Sequence, residues 1–168
     1  MDSPLLLLEL LCKKDVFYIV DPVDSSGAIA KLVENCGLTN YIDQSTLLDA
    51  LLSREEMMST AIGNGIAIPH VRLFDSMSLQ EDIVAVAYLF EPVDWVAPDG
   101  KPVHTLFFVL AADETRHLQI LAEIAQLASD EDFVEFLRTM PAKEALIERI
   151  QQLEEKVNTE EISNSQDS

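Results

Sequence analysis

The chain has 168 residues, 48% of them hydrophobic and 7% aromatic, which is typical of one globular domain able to bury a core without disulfide or metal support. Acidic residues outnumber basic ones 30 to 11, for a formal net charge of −19. Such a surface repels phosphate backbones, which argues against nucleic-acid binding, and it attracts basic partners.

Neither the cysteines nor the N-terminus indicate secretion or a membrane anchor. Cys12 and Cys36 form no C-x-x-C pair and are typical of reduced thiols. The leucine-rich residues 5–11 are interrupted by Glu9 and are too short to span a bilayer, and Asp2 stands where a signal peptide would be basic. We therefore expect a soluble, cytoplasmic protein without membrane insertion, with a short N-terminal helix docked on the domain.

The first half of the chain predicts one strand followed by two helices. Residues 16–20 form an apolar run that ends at an Asp-Pro pair, as a strand before a turn does. The first helix has apolar residues at helical spacing and Gly37 as its C-terminal stop, and the second delivers Arg54 at its C-terminal end. The candidate N-caps are Ser25 or Ser26 for the first helix and Asp43 or Ser45 for the second.

The second half predicts two buried strands and then three helices. Residues 83–90 and 103–111 are nearly continuous apolar runs, typical of strands buried on both faces, and a proline-rich connection containing Trp95 joins them. The next helix has Thr115 as its predicted cap and His117 in its first turn. Its predicted core set is Leu118, Leu121, Ile124, Ala125 and Ala128. The remaining helices are predicted over residues 132–138 and 142–157.

This order of elements predicts an α/β (α+β) fold, a three-layer α/β/α sandwich with a central mixed β-sheet. Strands that follow each other through Gly/Pro connections, with helices grouped at the end, favour a mixed sheet over a parallel one. We expect one domain over residues 1–157 and a disordered polar tail over residues 158–168.

Residues with special backbone or chemical roles concentrate in residues 54–72, which read R-E-E-M-M-S-T-A-I-G-N-G-I-A-I-P-H-V-R. Gly63 and Gly65 permit positive φ or close approach of another group. The Ile-Ala-Ile run that follows predicts a short buried strand. Pro69 fixes the backbone directly before His70, so a rigid strand end should present the histidine.

These residue types suit phosphoryl transfer through a covalent histidine. Imidazole, with a pKa of ~6.5, is a nucleophile near neutral pH. The guanidinium of Arg54 matches phosphate oxygens, and a glycine-rich backbone with the hydroxyls of Ser59 and Thr60 is a common neighbour of oxyanions. On composition alone, however, a Pro-His pair after a strand is more typical of a turn than of catalysis.

The order R-E-x-M-x-S-T-x-I-G-N-G-I-A-I-P-H, from Arg54 to His70, resembles the active-site segment of the enzyme IIA domains of the phosphoenolpyruvate-dependent phosphotransferase system, in the fructose/mannitol/nitrogen-regulatory class. The main departure is Ala61, where the family usually has glycine; alanine would be strained if the position needs positive φ. Residues 99–127, D-G-K-P-V-H-T-L-F-F-V-L-A-A followed by H-L-x-x-L-A-x-I-A-x-L, are similar to the family's second half.

The resemblance implies that His70 accepts a phosphoryl group from the phosphohistidine of HPr or of its nitrogen-branch relative. It places the family's second active-site histidine at His117 and its charge-neutralising arginine at Arg54. The implied support of the phosphoryl pocket comes from Ser59, Thr60, Gly63 and Gly65. No cofactor or metal is implied, and His104 has no assigned role.

The donor must dock closely, so we expect a shallow rim with apolar residues such as Ile66 and Ile68 near the acceptor. The sequence shows no IIB cysteine loop and no membrane span, which favours the nitrogen-regulatory branch, in which phosphorylation controls binding to target proteins. A sugar-specific IIA that serves a separate IIB remains open, as does a non-catalytic interaction domain of the same fold. A metal site formed by His70 and His117 is a third alternative.

Overall fold

The computed structural model describes residues 5–19, 24–36, 43–71 and 82–166, with side chains described as far as residue 156. The strands are β1 (Phe17–Ile19), β2 (Ala61–Gly63), β3 (Ile66–Ala67), β4 (Ile83–Val93) and β5 (Val103–Leu110). The helices are α1 (Leu6–Leu11), α2 (Ser25–Asn35), α3 (Gln44–Met57), α4 (Glu114–Ala128), α5 (Glu131–Arg138) and α6 (Lys143–Gln166). The predicted stop at Gly37 and the residue Arg72 lie outside the described residues.

The strands form one mixed sheet in the order β1-β4-β5-β3-β2. The β1–β4 and β3–β5 pairs are parallel, whereas β4–β5 and β2–β3 are antiparallel. The long central pair aligns Ile83 with Leu110 and Tyr88 with Thr105. The predicted mixed sheet is therefore confirmed.

Helices cover both faces of this sheet, because successive side chains of a strand point to opposite sides. On β5, Leu106 and Phe108 pack with residues of α2 and α3, whereas Phe107 and Val109 pack with residues of α1, α4, α5 and α6. The same alternation runs along β4. The three-layer α/β/α architecture is confirmed, with the N-terminal leucine-rich helix α1 in the second core.

Aspartates, rather than the predicted hydroxyl residues, cap two of the helices. The Asp24 carboxylate accepts the backbone N–H of the residue three positions on, at 2.7 Å, so Ser25 and Ser26 lie inside the first turn of α2. Asp113 caps α4 in the same way at 2.8 Å, and the predicted cap at Thr115 is wrong. Asp and Ser are similarly good N-caps, so composition could not choose between neighbours.

The buried face of α4 also differs from the prediction. Leu118 was assigned to the core but is 50% exposed. The buried positions are His117, Ile120, Glu123, Ile124, Leu127 and Ala128. Two of these are polar, so a search for apolar residues alone selected the wrong stripe.

Helix α6 continues beyond residue 157 to Gln166, where the sequence predicted a disordered tail. Residues 143–166 contain no glycine or proline, and glutamate, glutamine and lysine are favourable helix residues. Among the helices of the described segments, none is long and apolar enough to cross a membrane.

Candidate functional site

The G-N-G segment forms the turn of a hairpin between β2 and β3. Gly63, Asn64 and Gly65 have φ angles of 98°, 56° and 79°. Positive φ at both central residues is the geometry of a type I′ turn, for which Asn-Gly is the favoured sequence. Both glycines adopt the positive φ that their residue type permits, whereas the hairpin that the Asn-Gly pair signals was not predicted from the sequence.

Gly65 is also required by space, because a histidine ring lies against it. A Cβ at this position would lie 2.3 Å from Cδ2 and 2.4 Å from Nε2 of His104. The backbone N–H of His104 donates to the Gly65 carbonyl at 2.8 Å. Burial, together with the charge of Arg138, lowers the pKa of His104 to about 4, so the ring is neutral at physiological pH. His104, to which the sequence assigned no role, thus packs against the hairpin turn.

Two hydrogen bonds tie this turn to distant parts of the chain. The backbone N–H of Asn64 donates to Asp99 Oδ2 at 2.8 Å, and its side-chain Nδ2 donates to the Ala128 carbonyl at 2.9 Å. Ala128 is the last residue of α4. The turn that precedes His70 is therefore bonded to the helix that contains His117.

Alanine is unstrained at position 61. The non-glycine residues with positive φ in the described chain are Asn64, Val96 and Met140, and Ala61 is not among them. Ala61 is buried in β2, with 4% of its surface exposed. Position 61 therefore does not require glycine's conformational freedom.

The hydroxyls of Ser59 and Thr60 are hydrogen-bonded within the protein. Ser59 Oγ donates to the Trp95 carbonyl, and Thr60 Oγ1 donates to Glu55 Oε2 at 2.7 Å. Neither residue is among the described ones that line the depression at His70, and the same holds for Gly63 and Gly65. Their support of a phosphoryl group therefore stays a prediction, whereas their observed contacts shape the segment that leads to His70.

His70 lies in an open depression of about 580 Å³. Its described lining consists of Ala50, Ser53, Arg54, Met57, Met58, His70 and Val71. The first four of these residues follow i, i+3, i+4, i+7 spacing, so one face of α3 lies opposite the histidine.

A backbone carbonyl sets the tautomer of His70. The residue follows β3 and forms a parallel bridge with Val109, which holds its backbone beside β5. Its Nδ1 lies 2.6 Å from the Ile68 carbonyl oxygen. Because a carbonyl can only accept, Nδ1 carries the proton, and in the neutral ring the lone pair is on Nε2.

His117 meets His70 from the layer that contains α4. It is 1% exposed, and the two ring centroids lie 5.1 Å apart at an interplanar angle of 54°. The structure thus brings together the two histidines that were predicted from the sequence as site residues. No group of three or more His, Cys, Asp or Glu side chains in the described part of the chain is arranged to hold a metal ion.

Arg54 reaches the same depression from the opposite layer. Its Nη1 donates to the Met58 carbonyl at 2.7 Å, which fixes the guanidinium at the C-terminal end of α3. The helix dipole favours a cation there, and a guanidinium offers five N–H donors in a planar fork. Arg54 can therefore bind an anion in this depression while it remains bonded to its own helix.

The expected apolar rim exists, but the residues named for it were wrong. Ile66 and Ile68 are 0% and 3% exposed, because β3 lies inside the sheet between β5 and β2. Among the described residues that line the depression, the exposed apolar side chains are Met57 and Met58, which are 83% and 70% exposed. A sequence search for apolar strands could not find them, because they end a helix.

The family model of the phosphoenolpyruvate-dependent sugar phosphotransferase system, EIIA 2, matches residues 9–153. The chain therefore belongs to this family of phosphotransferase-system components. The match spans every described helix and strand from β1 to α5.

Relatives with two kinds of name are similar to this chain. A nitrogen regulatory protein of Pseudomonas aeruginosa is 42% identical over 106 residues, which are 62% of this chain and 67% of that protein. A fructose-specific EIIA component of Haloferax volcanii is 36% identical over 128 residues, 74% of this chain and 81% of that protein. The crystal structure of the nitrogen regulatory protein IIA-Ntr from Neisseria meningitidis aligns with a TM-score of 0.73 at 25% identity, covering 86% of this chain and 99% of that one.

Proposed function

We propose that this protein is a phosphocarrier that accepts a phosphoryl group on Nε2 of His70 from the phosphohistidine of an HPr-type carrier. The observation that carries the proposal is the bond between His70 Nδ1 and the Ile68 carbonyl. It leaves the nucleophilic lone pair on Nε2 of the neutral ring. An N–P bond forms at Nε2 as the donor's N–P bond breaks, and the electron pair of the broken bond returns to the donor imidazole.

The neighbouring groups suit the charges that develop in this transfer. After attack the His70 ring becomes more positive, and the Ile68 carbonyl stabilises the proton on Nδ1. Arg54 neutralises charge on the phosphoryl oxygens, and His117 positions the acceptor ring from its buried side. Most of what phosphoryl transfer requires of a protein is such positioning and charge stabilisation.

We further propose a nitrogen-regulatory use, in which the phosphorylation state controls binding to target proteins. The similar nitrogen regulatory proteins from Pseudomonas and Neisseria support it. The second candidate, a sugar-specific IIA that passes the group to a separate IIB, is supported by the fructose-specific relative. Transfer from the phosphorylated protein to a fructose-type IIB would favour this second use.

The central test is phosphorylation in vitro with phosphoenolpyruvate, enzyme I and an HPr-type carrier, followed by intact mass. The wild-type protein should gain one acid-labile phosphoryl group, and NMR should locate it on Nε2. His70→Ala should gain none while its circular dichroism stays native. Uptake of a phosphoryl group by the folded variant would show that another residue is the acceptor.

A further inference from the structure

A third polar side chain shares the depression with His70 and Arg54. Ser53 precedes Arg54 on α3, is exposed, and lines the same space. Its position is fixed by helical spacing, since Ala50, Ser53 and Met57 lie on the one face of α3 that is turned towards His70. The hydroxyl therefore belongs to the wall opposite the acceptor ring.

The two hydroxyls predicted from the sequence to support the phosphoryl group are hydrogen-bonded to other groups of the protein. Ser59 donates to the Trp95 carbonyl and Thr60 donates to the Glu55 carboxylate. Of the described residues that line the depression, Ser53 alone carries a hydroxyl. A phosphoryl group at His70 would thus share the depression with Ser53, whereas Ser59 and Thr60 are not among its described lining residues.

The chemistry of a transferred phosphoryl group calls for such a donor. Charge spreads over its three oxygens, and a guanidinium can bind two of them side by side. A serine hydroxyl rotates freely, so it can donate to the remaining oxygen without loss of a long side chain's rotamer entropy. Ser53 and Arg54 are adjacent in the chain and reach the depression from the same helix.

We propose that Ser53 Oγ is a phosphoryl-binding group that donates its hydrogen to a phosphoryl oxygen at His70. The proposal rests on the phosphocarrier function inferred above and adds to it a ligand for the transferred group. The contact strengthens as negative charge develops on the oxygens, so it acts mainly on the transfer step.

The test compares Ser53→Ala with Ser53→Thr, which keeps the hydroxyl. Ser45→Ala is the matched control, because Ser45 is an exposed serine in the first turn of the same helix. Ser53→Ala should slow phosphoryl transfer by about 10-fold to 100-fold, the range for a hydrogen bond to a charged group, with little change in the KM for the carrier. Ser53→Thr should recover most of the rate, and Ser45→Ala should match the wild type.

A second measurement tests the role of Ser53 in phosphate binding without any carrier protein. Inorganic phosphate is titrated into each protein, and amide chemical shifts around residues 53, 54 and 70 give its Kd. Weaker phosphate binding in Ser53→Ala, with recovery in Ser53→Thr, supports the role of Ser53. This holds even if no carrier phosphorylates the protein, because the absence of phosphorylation would overturn only the proposed phosphocarrier function. Equal phosphate affinity in the wild type and Ser53→Ala, or no phosphate binding in either, overturns the role of Ser53.

Discussion

At the scale of single residues, His70 is flanked by groups from both layers of helices. Arg54 comes from α3 on one face of the sheet and lines the same depression as His70, whereas His117 comes from α4 on the other face and its ring centroid lies 5.1 Å from that of His70. A charge from one side and a ring from the other can hold the acceptor in one orientation. Each contact should therefore affect the rate of transfer separately.

Replacement of Arg54 by alanine should slow phosphoryl transfer by about 10²–10³, the scale for loss of one positioned electrostatic contact. Arg54→Lys keeps the charge but loses the planar fork, so its rate should lie between those of alanine and arginine. His117→Ala should also lower the rate. Stopped-flow or quench-flow transfer from a labelled carrier measures each variant, and a normal rate in His117→Ala would remove that residue from the mechanism.

A second prediction at this scale concerns Gly65. An L-residue at its φ costs roughly 1–2 kcal/mol, and the contact of a new Cβ with the His104 ring should add overpacking of about 1–3 kcal/mol. Gly100→Ala is the matched control, since Gly100 has φ +72° and a Cβ there meets nothing within 4 Å. In urea unfolding, Gly65→Ala should lose more stability than Gly100→Ala.

The excess loss in Gly65→Ala should shrink when His104 is also alanine, because the ring that meets the new Cβ is gone. A double-mutant cycle measures that coupling. Equal losses in the two glycine variants would mean that the ring moves away at no cost.

The sequence predicted the residues of this site better than their contacts. His70 and Arg54 were predicted because they match an active-site segment, and His117 because residues 99–127 resemble the second half of the family; the structure places the ring of His117 beside that of His70 and Arg54 in the same depression. The hydroxyls could not be assigned, since Ser53, Ser59 and Thr60 lie within eight residues of one another and only the course of the chain decides which ones reach the pocket. Whether alanine is strained at position 61 could not be predicted either, because the φ angle there depends on the course of the folded chain.

At the scale of elements, α1 depends on a carboxylate from α4. Oε1 of Glu123 accepts the N–H of Leu7 at 3.2 Å, in the first turn of a helix that has no side-chain cap of its own. Glu123 is 8% exposed, and burial raises its pKa, although the N–H groups of Leu7 and Leu6 and the side chain of Gln119 act in the opposite direction. Glu154 on α6 raises the pKa further.

The stability of Glu123→Gln relative to the wild type should increase as the pH rises. The folded protein binds the proton of Glu123 more tightly than the unfolded chain does, in which the pKa of this carboxyl is near 4.5. The contribution of Glu123 to the free energy of unfolding is therefore lost as the pH rises through the raised pKa of the folded state. Glutamine stays neutral and keeps the oxygen that accepts from Leu7. The difference in urea midpoint between variant and wild type, measured from pH 4.5 upwards, should increase; a constant difference would contradict the raised pKa.

The hairpin turn and α4 form a second linked pair of elements. Asn64→Gly keeps the positive φ but removes the side-chain bond to the Ala128 carbonyl. Because α4 contains His117, we expect a modest loss of stability of about 1 kcal/mol and a weaker contact between the two histidine rings. Ring-to-ring NOEs between His70 and His117 measure this contact.

Ser129→Ala is the control for Asn64→Gly, since it removes a bond from Ser129 Oγ to the Gln126 carbonyl at the same end of α4 without cutting the link to the hairpin. Unchanged NOEs are expected in this control. Unchanged NOEs in Asn64→Gly would mean that core packing alone positions α4.

Among the strands, β2 alone was not predicted from the sequence, whereas the short strands β1 and β3 and the long strands β4 and β5 were. β4 and β5 are continuous apolar runs, and their predicted starts, at residues 83 and 103, agree with the structure. β2 has three residues, too few for any periodicity, so only the Asn-Gly turn could have revealed that it forms a hairpin with the predicted strand β3. The face of α4 was mispredicted because its buried positions include a histidine and a glutamate that serve specific contacts.

At the scale of the whole molecule, the net charge of −19 bears on how phosphorylation could act as a switch. A phosphoryl group adds about −1.5 to −2 charges, a small fraction of that total. The overall field thus changes little. A change in partner binding must come from groups in direct contact with the partner near His70, where Met57 and Met58 are exposed apolar residues of the described part of the chain.

We therefore expect phosphorylation to weaken binding at this surface by a local effect that survives high salt. The partner is an HPr-type carrier whose acceptor histidine is replaced by alanine, so that it cannot take the group back. Calorimetry compares the phosphorylated protein with the unphosphorylated one at low salt and at about 1 M, where the Debye length is only ~3 Å. Repulsion from the overall charge is screened at that ionic strength, whereas desolvation of a charge against the methionine rim is not. Weaker binding of the phosphorylated form at both salt concentrations is the expected result, and a difference that disappears at high salt would assign the switch to long-range repulsion instead.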